Sequence, residues 1–227
     1  MKVKKRGLFI VLLLVCLLGL AGCGGGSNSG TAPTTLTLKS EADLDGFITH
    51  RFTDPEIYGI GNSTTPIQVG NSTSGETKIG NRGFVSFNLI SLPAGATIKS
   101  AILRVYQSSI NGDPYSKLGN IFVDHVSYES FVHAEAGDPA KTKYDMAPLD
   151  SSIPAGSFLS TDATVGYKTL DVTVAVQADQ ATSRARAQFR LSFQIEVVVE
   201  SLSSCYASFS PGESDTNQPE LVIQYTL

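Results

Sequence analysis

Apolar and polar residues alternate in short runs along most of this chain. In "TIKSAILRVYQ" (97–107) Ala101, Leu103 and Val105 fall on one face, while Arg104 and Tyr106 fall on the other. That period predicts a strand with one buried side. The runs "TLTLK" (35–39), "GFVSFNL" (83–89), "NIFVDHVSY" (120–128), "YKTLDVTV" (167–174), "AQFRLSFQIEVVVES" (187–201), "CYASFS" (205–210) and "ELVIQYTL" (220–227) read the same way. Gly, Pro, Asn, Asp and Ser cluster between them, so the pattern predicts an all-β, two-sheet sandwich. One stretch departs from it: Thr173 is placed to cap a short helix through "VAVQADQAT" (174–182). Residues 134–166 are polar and rich in Pro, Gly and Asp, and they predict a long loop of the kind that carries function or moves.

The stretch "IGNSTTPIQVGNSTSGETKIGN" (60–81) repeats an apolar residue followed by Gly-Asn three times. Ile67–Gly70 predicts a short strand ending in a glycine turn, with the Gly-Asn pairs as turn residues that tolerate positive φ. Gly59-Ile60-Gly61 begins like a dinucleotide fingerprint but has Thr64 at the third glycine's place. The glycosylation triplets at Asn62 and Asn71 matter only on a eukaryotic secretory route.

Lys2, Lys4, Lys5 and Arg6 precede an apolar run from Leu8 to Leu20, and Leu20-Ala21-Gly22-Cys23 follows. A basic start, a short apolar core and small residues before a cut describe an export signal over residues 1–22. Leu-Ala-Gly-Cys resembles the lipobox of bacterial lipoproteins, which implies acylation of Cys23, stable anchoring by several acyl chains, and Cys23 as the first mature residue. Gly24 lacks the Asp that retains many Gram-negative lipoproteins in the inner membrane, so an outer-membrane location is expected in such a host. Residues 23–35 are a Gly/Ser-rich tether, about 17 Å end to end over ten residues as a flexible coil. Residues 36–227 are long enough for a single domain with a sizeable core.

Loss of the signal takes away four basic residues and no acidic one, moving the formal charge from −4 to −8. That argues against a nucleic-acid partner. Of three cysteines, Cys16 leaves with the signal and Cys23 carries lipid, so Cys205 has no disulfide partner and reads as a small buried hydrophobe. The chain has no Gly-x-Ser-x-Gly, His-Glu-x-x-His or Cys-x-x-Cys. His50, His125 and His133 are scattered, and the sequence supports no catalytic machinery.

Four blocks occur in an order that matters. They are "DGFI" (45–48) with "YG" (58–59) and "IQVG" (67–70), "RGFVSFNLISLPAGATIKSAILRVY" (82–106), "LDVTVAVQA" (170–178), and "YASFSPGESDTNQPELVIQY" (206–225). Together they resemble the DNRLRE domain, also classed as carbohydrate-binding module family 96. The resemblance covers nearly the whole domain and implies a jelly-roll-like β-sandwich in an exported protein, with polysaccharide as ligand. Ser86-Phe87-Asn88 stands where the family commonly has Arg-Phe-Asp, and Asp179 where it often has an aromatic residue.

Sugar rings stack on aromatic faces while amides, carboxylates and guanidinium groups take their hydroxyls. The chain has no Trp, which counts against a sugar site, but a Tyr ring with its hydroxyl can substitute. Arg104 and Tyr106 on the predicted non-core face, with Tyr115 and Tyr144 in loop-like segments, are the candidate carbohydrate-binding residues. "EADLDG" (41–46) spaces carboxylates as half of a calcium loop does, but Phe52 at the twelfth position excludes an EF-hand. A structural calcium between terminal strands would draw on Asp43, Asp45, Glu213 and Asp215. Turn-forming aspartates are the simpler reading of that spacing. Two functions remain open: a non-catalytic envelope lipoprotein that binds polysaccharide, and a structural or adhesive envelope protein that contacts another protein.

Overall fold

A computed structural model describes residues 32–61, 65–129, 138–149, 153, 157–196 and 203–227. The export signal, Cys23 and most of the tether lie outside the described residues, as do residues 130–137, 150–152 and 154–156 of the long polar segment and its approach. Thr31–Leu227 forms one compact unit. No helix among the described residues is long and apolar enough to cross a membrane.

Among the described residues the unit has eleven strands: β1 (Thr34–Lys39), β2 (Gly46–Arg51), β3 (Ile57–Gly61), β4 (Ile67–Ser74), β5 (Thr77–Asn88), β6 (Thr97–Asn111), β7 (Ile121–Val126), β8 (Gly166–Asp171), β9 (Arg186–Phe193), β10 (Cys205–Phe209) and β11 (Glu220–Thr226). Every pairing is antiparallel. Two long strands organise them. β5 pairs β2 along one edge and divides the other between β4 (residues 77–81) and β9 (83–88). β6 pairs β8 on one edge and divides the other between β11 (97–104) and β10 (107–111). One layer therefore runs β7-β9-β5-β2-β3 and the other β1-β11-β6-β8, with β4 and β10 carrying the pairing from one layer to the other.

The alternation in the sequence decides which side faces inward. Val85 and Phe87 of β5, Ala101, Leu103 and Val105 of β6, Phe189 and Leu191 of β9, and Leu221 and Ile223 of β11 fill one core between the layers. Each fully buried large side chain contributes roughly 1.5–3 kcal/mol by leaving water. A second cluster (Ile48, Tyr58, Phe84, Val126, Tyr128, Ala140, Tyr144) lies on the opposite face of β2 and β5. The cover over it is α2 (Asp138–Tyr144), a helix inside the segment predicted as a loop. Both clusters are built from residues between Leu36 and Ile223.

α1 (Pro114–Leu118) follows β6, and α3 (Thr173–Ala181) is the helix the sequence predicts. Its cap differs from the prediction. Thr173 is already inside the helix, and Asp171 Oδ1 accepts the Thr173 amide at 2.9 Å. The Thr173 hydroxyl instead accepts the Ala101 amide at 2.9 Å, fastening the helix to β6.

The Gly-Asn repeat also differs from its prediction. Gly70-Asn71 and Gly80-Asn81 lie in strands, and each Gly pairs with the other's Asn: Gly70 with Asn81, Asn71 with Gly80. Gly70 has φ +120°, and a Cβ there would come within 2.7 Å of the Cys205 carbonyl oxygen. The glycine lets β4 lie against β10 and β5 as it passes between layers. The turn itself is at Gly75, with φ +61°.

Candidate functional site

On the outer face of β5, β9 and β7, register aligns Phe84, Arg190 and Asp124 across the three strands. Arg190 is buried, and its Nε and Nη2 donate to Asp124 Oδ2 at 3.0 and 2.5 Å. Its Nη1 donates to the carbonyls of Tyr144 and Met146 at 2.9 and 2.8 Å. Those carbonyls end α2, where the helix dipole favours a cation. Arg82, two residues back on β5, also donates to the Tyr144 carbonyl, pairs with Glu196 at 3.1 Å, and lies 4.2 Å over the Tyr144 ring. The Tyr144 hydroxyl donates to Glu196 Oε1. Gly80 leaves the room for it, since a Cβ there would sit 2.7 Å from that oxygen. Burial pushes the Tyr144 phenol far up, and the Glu196 carboxylate adds to the shift.

Beside this clamp His50 stacks on Tyr58 at 4.3 Å and 10°, with Phe52 at 4.0 Å and Tyr144 edge-on at 5.3 Å. Lys141 lies 4.7 Å over the Tyr58 ring and reaches Asp145 at 3.2 Å and Glu56 at 3.5 Å. His50, Tyr58 and Tyr144 are buried in this cluster, while Phe52 keeps 39% of its surface exposed.

The opening is on the other side of Arg82. β4 and β9 share one edge of β5 and part between Asn81 and Gly83. A small groove of about 160 Å³ occupies that fork. Its walls include Gly70, Asn81, Arg82, Phe122, Ser192 and Glu196. Asn81 donates through Nδ2 to Ser72 Oγ at 3.1 Å, but its Oδ1 has no hydrogen-bond partner, and neither does Arg82 Nε. A shielded polar atom left unpaired costs roughly 1–3 kcal/mol. Both atoms are buried, and as successive strand residues Asn81 and Arg82 face opposite sides of β5, so neither atom faces a ligand in the groove. The Arg82 guanidinium, the Glu196 carboxylate, the Ser192 hydroxyl and the Phe122 ring are the chemistry of hydroxyl-rich ligands with apolar CH faces.

The opposite layer carries Arg104 and Tyr106, which the structure brings together with Tyr167 of β8 and Glu220 of β11. Arg104 lies 4.4 Å over the Tyr167 ring and donates to Glu220 Oε2 at 2.7 Å. Tyr106 and Tyr167 meet edge to face at 5.2 Å.

The other two tyrosine candidates are placed differently. Tyr144 is 1% exposed under Arg82, in a helix and not a loop, so it offers no ring to solvent. Tyr115 packs on the main core 5.2 Å from Phe193. Its hydroxyl donates to Gln107 Oε1 and lies 2.8 Å from Ser160 Oγ. Burial pushes that phenol up to about 12.

The calcium set is not assembled either. Among the described residues no group of three or more His, Cys, Asp or Glu is placed to hold a metal ion. Asp43, Glu213 and Asp215 are exposed, while Asp45 is buried and accepts the Ser86 amide at 2.9 Å. The carboxylate spacing serves this chain contact. Around Ser86 and Asn88 a charged pair is nonetheless present, since Glu41 accepts from Ser86 Oγ at 3.1 Å and from Arg186 Nε at 2.7 Å.

His125 lies 2.9 Å from Asp179, and both are at most 2% exposed. The pair ties β7 to α3 and is sealed from any substrate. Asp179 thus has a structural use where the related sequences often carry an aromatic residue.

Asn81, Phe122, Ser192 and Glu196 were not read as candidates from the sequence. Asn81 alone carried a signal, the Gly-Asn repeat. The others become neighbours only through the β5-β9-β7 register. No curated protein matches the chain. The model of carbohydrate-binding module family 96 matches residues 37–225, nearly the whole described unit. An antiparallel sandwich with hydroxyl-binding chemistry on its faces fits that match, and the chain belongs to carbohydrate-binding module family 96.

Proposed function

We propose that this protein is a non-catalytic lipoprotein of the cell envelope that holds polysaccharide in the groove where β4 and β9 part from β5. The observation that carries the reading is the grouping of Arg82, Phe122, Ser192 and Glu196 around that groove. Arg82 is held by Tyr144 and Glu196, so its guanidinium is oriented before a sugar arrives and little side-chain entropy is lost on binding. The non-catalytic reading is supported by the burial of His125 with Asp179, which removes that pair from solvent. The anchor rests on Leu20-Ala21-Gly22-Cys23, and the Gly/Ser tether gives the domain reach from an outer-membrane surface.

The test is affinity electrophoresis and calorimetry of Thr31–Leu227 against soluble glucan, xylan, galactomannan and polygalacturonate, with and without EDTA. Saturable binding to one class, weakened about tenfold or more by Arg82→Ala or Phe122→Ala, is the expected result. A folded domain that binds none of them sinks the reading and directs the search to protein partners of the adhesive alternative. EDTA leaves binding unchanged if no cation takes part.

A further inference from the structure

The outer face of the β1-β11-β6-β8 layer is a flat strip whose side chains register fixes in rows. Tyr167 stands beside Tyr106. Thr169, Arg104, Glu220 and Lys39 form the next row. Ile102, Val222 and Thr37 follow, then Ser100, Gln224 and Thr35. The strip runs about 20 Å along β6 from Tyr106 to Ser100, room for several sugar residues in line.

Its composition separates a glycan from a protein as occupant. Protein contacts are built around a core from which charges are depleted. Here the Arg104–Glu220 pair sits in the middle of the strip at 2.7 Å, and Ile102 and Val222 are half-buried between hydroxyl and amide side chains. Arg104 and Lys39 are offset by Glu220 and Asp171, so the strip has no net formal charge. An aromatic pair at one end, Arg104 holding the Tyr167 ring from one side, and Tyr167 still 36% exposed make a fixed stacking platform beside hydrogen-bonding groups. A neutral polysaccharide chain matches that alternation of apolar and hydroxyl-binding positions.

This layer and the groove-bearing layer enclose the main core between them, so Arg82 and Arg104 point outward on opposite sides of the sandwich. We infer that the strip around Tyr106 and Tyr167 is a second glycan-binding face, and that the domain thereby bridges two polysaccharide chains. The inference rests on the reading that the groove binds glycan. It adds a function, cross-linking, that one site alone does not provide.

The experiment uses Thr31–Leu227, whose two cores close within residues 36–223. Two colours of beads coated with hydroxyethyl cellulose, xylan, galactomannan or polygalacturonate are mixed with wild type, Tyr167→Ala, Arg82→Ala and the double variant. Tyr106→Ala and Phe122→Ala serve as second variants for each face, and a thermal melt checks folding. Wild type is expected to cluster beads of a neutral glycan. Each single-face variant should still bind beads of either colour but cluster them roughly a hundredfold less, because one remaining face cannot bridge two beads. The double variant should bind neither.

Bridging that survives a single-face variant would come from self-association of the protein and overturns the inference. So does wild-type binding that Tyr167→Ala and Tyr106→Ala both leave intact without any loss of clustering; in that case the groove reading stands. Clustering confined to polygalacturonate overturns the neutral class. Failure of wild type to bind any coated bead overturns the groove reading and, with it, the bridge.

Discussion

Asp45 shows how one residue can look like a ligand and act as a structural tie. It is fully buried, and its Oδ1 takes the Ser86 amide. Burial pushes its pKa well above the usual carboxylate value. The Ser40 hydroxyl and the Ser86 amide pull it back, while Glu213 and Glu41 push it further up. A raised folded-state pKa means the folded chain holds the proton more tightly than the unfolded one. The stability this group supplies is therefore complete below about pH 4 and is lost as pH rises toward the folded value. Asp45→Asn keeps an acceptor for Ser86 and removes the titration. Its urea midpoint should gain on the wild type as pH rises from about 4 to 7, and equal slopes for the two proteins would refute the assignment. At the same scale, Asp124→Asn leaves Arg190 charged and buried against a neutral amide. A loss of about 3 kcal/mol in urea unfolding is expected, as for other broken buried pairs. The pairing of Asp124 with Arg190 had no sequence signal, because the residues are far apart in the chain and meet only across the β7-β9 ladder.

Elements were legible in proportion to how far their own period decided them. β6 and β11 bury one clean face each, so alternation marks them closely, while β9 and β10 are buried on nearly both faces and are marked by their apolar and aromatic residues. α3 was marked as well, but its cap was assigned to Thr173 where Asp171 supplies it. Asp171→Ala should cost about 1 kcal/mol in thermal or urea unfolding, the usual value of a lost cap. α2 was missed because its seven residues are polar on the side that faces water, and its stability comes from Arg82 and Arg190 holding its last carbonyls. The Gly-Asn pairs were read as turns because glycine serves both turns and close strand crossings. Gly70→Ala distinguishes them: at an open turn only the positive φ would be strained, costing about 1 kcal/mol. Here the positive φ and the 2.7 Å approach to the Cys205 carbonyl should cost about 2 kcal/mol or more. That substitution should also weaken glycan binding, since Gly70 lines the groove.

At the scale of the whole molecule, the lipid and the sandwich have separate tests. Cys23→Ser should abolish incorporation of labelled palmitate and leave the larger, unprocessed chain with its apolar run still attached, with the domain's melting temperature unchanged. Palmitate incorporation that survives the substitution would remove the lipoprotein proposal while leaving the family assignment intact. The sequence by itself determined the all-β class and the family. Both rest on local alternation and on motif order, which the chain carries along its length. Only the tertiary structure decided where a ligand can sit. The groove exists because β5 shares an edge between two strands that diverge, and the Tyr106–Tyr167–Arg104–Glu220 strip exists because three strands align in register. Such sites are made of residues distant in sequence, and antiparallel pairing, not spacing along the chain, brings them within hydrogen-bonding reach.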